Sequence, residues 1–136
     1  MDILGKSMIR RVWEKCIQVL PSDQVLIATD DRRIADHCKL YNMKFIMTSK
    51  SCTTGTDRLF EVSKKIKANY YINVQGDEPL ISKNDIKKII KNIKNYPDYI
   101  LNAMTPIKKK LDIKRNSIPK VVVNRKNDLL YMSRSV

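Results

Sequence analysis

The sequence is poor in the residues from which catalytic clusters and phosphate loops are usually built: it holds one histidine, three cysteines and three glycines. His37 is the single histidine, and no Ser-His-Asp or Cys-His arrangement can be argued around it, which weighs against covalent hydrolase chemistry of that type. His37 itself falls mid-helix with no partner at ligand spacing and reads as a surface or packing residue. Cys16, Cys38 and Cys52 are odd in number and free of any C-x-x-C pattern, so they support neither a disulfide framework nor a zinc site and read as buried or idle thiols. Gly5-Lys6-Ser7 has the ending of a phosphate loop but not its earlier glycine, and reads as a turn ahead of a helix.

Long hydrophobic runs are also missing. No stretch approaches the roughly eighteen uncharged apolar residues that span a bilayer, and Met1 to Lys6 shows no basic region followed by an apolar one. A soluble, cytoplasmic protein with no membrane partner is expected. Acidic residues are scarce, 14 against 27 Lys and Arg, which leaves a net charge of +13. Such a surface attracts nucleic acid, anionic membranes or phosphorylated ligands without choosing among them. The lysine excess, accompanied by abundant Asn and Ile, is the usage of an AT-rich coding sequence. A basic nucleic-acid-binding module is the alternative of another class. The lysines are spread over helix exteriors and loops rather than interleaved with aromatics on one face, which argues against it.

What is present is apolar content of 43% in 136 residues, enough for one core and one domain. Ile9 to Leu20 places Ile9, Val12, Trp13, Cys16, Ile17 and Leu20 on one helical face, ended by Pro21 and Ser22. Gln24 to Thr29 reads as a buried strand stopping at Asp30-Asp31, Arg32 to Tyr41 as a helix ended by Asn42, and Met43 to Thr48 as a strand. A polar loop, Ser49 to Thr56, leads into a helix from about Asp57 to Lys67, with capping-box spacing between Thr54 and Asp57. Tyr70 to Val74 is a further strand, Ser82 opens a helix with Ile86, Ile89, Ile90 and Ile93 inward, and Tyr99 to Thr105 is again a strand. Ile107 to Ser117 is a lysine-rich surface excursion, and Lys120 to Asn124 with Leu129 to Met132 form a hairpin.

This alternation predicts an α/β fold with a mostly parallel sheet covered by helices. Ligands of such sheets sit beyond the carboxyl ends of the strands, which singles out Asp30-Asp31, Thr48 to Arg58 and Gln75 to Pro79. In the last of these, Asp77 and Glu78 directly follow a strand, with Gly76 permitting close backbone approach. Carboxylates there are a place for Mg²⁺ to meet a nucleoside triphosphate. Spacing alone fits a solvated turn equally well; Asp77 is the better metal candidate. Thr53 to Arg58 brings hydroxyls, a glycine and a guanidinium to a helix mouth, suited to phosphate or base acceptors, or simply to an ordinary cap.

Taken in order, Asp2-Ile-Leu-Gly-Lys-Ser-Met-Ile9, Ile27-Ala-Thr-Asp30, Thr54-Gly-Thr-Asp-Arg-Leu59, Asn73-Val-Gln-Gly-Asp-Glu-Pro79, Pro119-Lys-Val-Val122 and Leu130-Tyr-Met-Ser-Arg134 resemble the 3-deoxy-manno-octulosonate (Kdo) cytidylyltransferase family, the CMP-Kdo synthetases. The acylneuraminate cytidylyltransferases are more distant relatives. The resemblance implies a three-layer, Rossmann-like, glycosyltransferase-A-like nucleotidyltransferase fold. It also implies a reaction in which the anomeric hydroxyl of Kdo attacks the α-phosphorus of CTP, giving CMP-Kdo and pyrophosphate for lipopolysaccharide biosynthesis. By that resemblance Asp77 binds Mg²⁺ and is the catalytic residue, Gln75 contacts the sugar acid, Thr56 and Arg58 help hold the cytidine, and Arg134 faces the sugar carboxylate.

A family member begins with a strand and a phosphate-gripping loop, and continues past Arg134 through a dimerisation region and a second metal-binding aspartate. Residues 1–136 therefore correspond to one partial cytidylyltransferase domain, short at both ends, and three things are expected of it. The isolated chain has little or no transferase activity, it exposes apolar surface, and homodimers belong to full-length members. Another acidic sugar, such as an acylneuraminate, is the alternative acceptor.

Overall fold

The computed structural model describes residues 2–135, and the chain divides into two compact units, Met1–Tyr99 and Ile100–Val136. The first unit opens with a small antiparallel hairpin, β1 (Asp2–Ile3) and β2 (Lys6–Ser7). Its turn residues, Leu4 and Gly5, both take positive φ (50° and 75°), the backbone twist that two-residue hairpin turns require. Gly5-Lys6-Ser7 is thus a turn before a helix, as expected. Ser7 caps α1 (Met8–Cys16), its hydroxyl accepting from the Arg10 N–H at 3.3 Å.

Helix α1 buries two stripes. Val12 and Cys16 pack with Ile86 of α4 (Lys83–Ile93), while Ile9 and Trp13 pack on Ile27, Cys38 and Met43. The second stripe faces β3 (Ile27–Thr29) and β4 (Phe45–Met47), a parallel pair in the register Ile27–Phe45, Ala28–Ile46 and Thr29–Met47. Between these strands runs α2 (Arg32–Leu40), whose N-cap is Asp31 and whose exit is Asn42 at φ 52°. Helix α3 (Gly55–Lys65) begins with the capping box anticipated from Thr54 and Asp57: the Thr54 hydroxyl accepts from the Asp57 N–H at 3.1 Å, and the Asp57 carboxylate accepts from the Thr54 N–H at 2.9 Å.

The second unit contains a one-turn helix, α5 (Lys110–Ile113), and the antiparallel hairpin β5 (Lys120–Val123) and β6 (Leu129–Ser133). The Asn124 side chain holds the connecting turn by accepting from the Lys126 and Asp128 N–H groups, with Asn127 at φ 67°. Leu129, Leu130, Tyr131 and Met132 of β6 are all exposed, matching the expected uncovered apolar surface.

The sheet departs from expectation. Among the described residues there are three two-stranded sheets, and only β3–β4 is parallel, so a mostly parallel sheet is not formed. Tyr70 to Val74 and Tyr99 to Thr105, expected as strands, form no ladder. Strand composition favours an extended backbone, but a strand exists only by hydrogen bonding to a neighbour. β3 itself is ladder-bonded on one edge only. No helix among the described residues is long and apolar enough to cross a membrane.

Candidate active site

The free edge of β3 borders a cavity of about 480 Å³ within the first unit. Val25 to Asp30 form one wall and Ile72 to Asp77 the other, α1 supplies Ile9, Val12, Trp13 and Cys16, and α3 closes it with Gly55, Arg58 and Leu59. Most of this lining is apolar. Its polar members are concentrated where the segments end: Asp30 after β3, Asn73, Gln75 and Asp77 along and after the 70–74 segment, and Arg58 on α3.

Asp77 owes its place to a tight turn. The Glu78 N–H donates to the Gln75 carbonyl at 3.2 Å, and the Ile81 N–H to the Glu78 carbonyl at 3.1 Å, which leaves Asp77 exposed at the bend. A Cβ on Gly76 would lie 2.7 Å from Ile9 Cδ1, so this turn rests close on α1 and a larger residue there would make the end of the Ile9 side chain shift. Gln75 and Asp77 both line the cavity, whereas Glu78 does not.

Arg58 is the best-anchored polar group of the site. Its Nη2 meets Asp30 Oδ1 at 3.1 Å, and its Nη1 donates to Thr48 Oγ1 at 2.5 Å, with Thr48 buried. One guanidinium thereby joins the carboxyl ends of β3 and β4 to the first turn of α3, and its fixed fork leaves further N–H donors unspent. Thr56, also in that first turn, is exposed and does not line the cavity. Arg134 belongs to the second unit, where it donates to the carbonyls of Ser117 (2.8 Å) and Asn116 (3.4 Å).

Of the five residues singled out from the sequence, three (Asp77, Gln75 and Arg58) share this cavity. Sequence reasoning missed the Asp30–Arg58–Thr48 clamp, although the strand-end rule points to Asp30. It also missed Trp13, whose indole nitrogen is buried in the cavity wall without a hydrogen-bond partner. His37 is more than a packing residue: its Nε2 lies 2.5 Å from Ser7 Oγ, tying α2 to the cap of α1, and its ring lies tilted against that of Tyr41 at the end of α2. All three thiols are free, and loss of solvation raises the pKa of each, which suits their reading as idle.

Among the described residues no group of three or more His, Cys, Asp or Glu could hold a metal ion. A lone carboxylate such as Asp77 still fits Mg²⁺, which keeps waters and is commonly bound through one or two carboxylates plus the phosphates of its nucleotide. Asp30 is already committed to Arg58.

The fold and this site define an α/β protein whose strand-end carboxylate and guanidinium share one cavity, an arrangement suited to a nucleotide. The chain belongs to the cytidylyltransferase family, whose model matches residues 1–136. It is 38% identical over 135 residues to the 3-deoxy-manno-octulosonate cytidylyltransferase of Escherichia coli, covering 99% of this chain and 55% of that protein. To the mitochondrial 3-deoxy-manno-octulosonate cytidylyltransferase of Arabidopsis thaliana it is 37% identical over 139 residues, covering 100% of this chain and 48% of the relative. A solved structure of CMP:2-keto-3-deoxy-manno-octonic acid synthetase complexed with CTP superimposes with a TM-score of 0.85 at 37% identity, covering 99% of this chain and 56% of that one. The chain thus spans about half the length of the curated relatives it matches.

Proposed function

We propose that this chain is part of a single cytidylyltransferase domain of Rossmann-like, three-layer architecture that couples Kdo to CTP in the cytoplasm, giving CMP-Kdo and pyrophosphate for lipopolysaccharide biosynthesis. The observation that carries this reading is the joining of Asp77, Gln75 and Arg58 in one cavity, in a fold that superimposes on a CTP-bound synthetase.

In this reading the Asp77 carboxylate, exposed at its turn, holds the divalent cation. Bound Mg²⁺ offsets charge on the phosphates and at the reacting phosphorus. Gln75, two residues earlier, presents an amide to the hydroxyls and carboxylate of the sugar acid. Arg58 uses the donors not spent on Asp30 and Thr48 to hold the cytidine, with Thr56 beside it at the helix mouth. The anomeric hydroxyl then displaces pyrophosphate at the α-phosphorus in one step. The protein contributes positioning and charge stabilisation, with no covalent intermediate. Arg134 pairs with the sugar carboxylate, a role supported by the family resemblance alone. Full-length members act as homodimers in this reading.

The test is a chimera in which these residues replace the matching stretch of the Escherichia coli relative. It forms CMP-Kdo from CTP and Kdo in the presence of Mg²⁺, and Asp77→Ala lowers the rate by at least about a hundredfold, in keeping with the several kcal/mol such a ligand contributes. Undiminished coupling by the Asp77→Ala chimera would sink the assignment.

A further inference from the structure

The second unit concentrates the charge of the protein. From Ile100 to Val136 there are nine Lys and Arg against two Asp, so this shorter unit carries +7 of the total +13. Both of its acids are engaged locally, Asp112 with Arg115 at 3.4 Å and Asp128 with the Asn124 amide at 2.9 Å. Lys120 and Arg134 donate to backbone carbonyls of the same unit. Lys108, Lys109, Lys110 and Lys114 are different: all are exposed, and none has a side-chain partner among the described residues.

Apolar groups are interleaved with those lysines. Leu111 is 79% exposed, and Ile107 and Ile113 are exposed beside it. Ile107 also lines a cavity of about 390 Å³ together with Met104, Pro106, Pro119 and Val121. An apolar hollow, protruding aliphatic side chains and a run of unpaired lysines therefore occupy one continuous stretch, 104–121. Charge selects an anionic partner. The uncharged part separates lipid from nucleic acid, because the stretch holds no aromatic on which a base could stack, while aliphatic groups flanked by lysines match the boundary between headgroups and acyl chains. Lysine stems lie along apolar surface and keep their ammonium groups in the headgroup layer.

We propose that residues 104–121 form a peripheral docking surface for an anionic lipid bilayer, with Leu111 and its isoleucine neighbours at the acyl boundary and Lys108, Lys109, Lys110 and Lys114 on the headgroups. Such a contact lies on a bilayer rather than across it, and it revises the expectation of no membrane partner drawn from the lack of a spanning segment. It is independent of the cytidylyltransferase reading.

Flotation of the chain with lipid vesicles tests it. Vesicles of phosphatidylcholine with about one third phosphatidylglycerol carry the protein upward at low salt, pure phosphatidylcholine vesicles do not, and added salt releases it. Replacing Lys108, Lys109 and Lys110 by Gln lowers the affinity for these vesicles about a hundredfold, at roughly a factor of five per charge near such a surface. Leu111→Ser lowers it severalfold, and the triple Lys→Arg variant, which keeps the charge, binds like the parent. Failure of the parent to float with anionic vesicles would overturn the proposal, as would equal flotation of the triple Gln variant. So would an unchanged Leu111→Ser variant combined with lysine-dependent binding of a single-stranded RNA oligonucleotide, which would assign the lysines to nucleic acid.

Discussion

Glu61 takes three donors at once: Lys65 Nζ at 2.6 Å, the Ser49 N–H at 2.8 Å and Cys52 Sγ at 3.3 Å. The Lys65 hydrogen bond, followed by that of Ser49, holds its pKa down to about 2 from an ordinary 4.5. A depressed carboxylate stabilises the fold fully above its unfolded pKa and ceases to do so as pH falls through the folded one. The loop from Ser49 to Thr53 is therefore expected to loosen between about pH 4.5 and about 2. Amide exchange of Ser49 and its neighbours, followed by NMR along an acid titration, checks this. Glu61→Gln should flatten the pH dependence, and a loop whose protection is unchanged across that window would refute the assignment. Asp31, brought to about 2 by its hydrogen bonds with Arg33, contributes to the same acid limb at the cap of α2.

At the scale of elements, α3 depends on its first turn. Thr54→Ala removes one half of the capping box and should cost about 1 kcal/mol in urea unfolding of the first unit. The same turn carries Arg58, so the variant should also loosen the hold of that guanidinium on Asp30. Helices were the legible part of the sequence, because caps and apolar spacing are local: Ser7, Asp31, Thr54 and Ser82 all cap where their residue types suggest. The 70–74 and 99–105 segments were not legible as they stand, since their composition says extended and only a neighbouring strand can make them β. The cavity was half legible. An apolar run followed by Gly76 and two carboxylates marks Asp77 from nearby residues alone. The clamp joining Asp30 to Arg58 and Thr48 depends on how β3, β4 and α3 converge, which no local pattern encodes.

For the whole molecule, packing is uneven. The buried core belongs to the first unit, with Val12, Ile27, Cys38, Met43, Val62 and Ile86 all inside, whereas no residue of the described part of the second unit is fully buried. A unit this small, whose β6 side chains lie open, lacks the burial that offsets chain entropy. Hydrogen exchange should therefore find amides of β5 and β6 protected far less than those of α1 and β3. Exposed β6 should also bind a hydrophobic dye and drive concentration-dependent self-association, measurable by light scattering. A sharp, reversible melt of a monomer without dye binding would contradict this.

Trp13 is the only tryptophan in the chain, and its indole N–H is buried in the cavity wall with nothing to donate to. The protein consequently carries a built-in optical gauge: anything that enters the hollow and changes the surroundings of that ring alters the colour and yield of a single emitter. Occupancy can thus be read by fluorescence titration without labels, and even when no chemical turnover takes place.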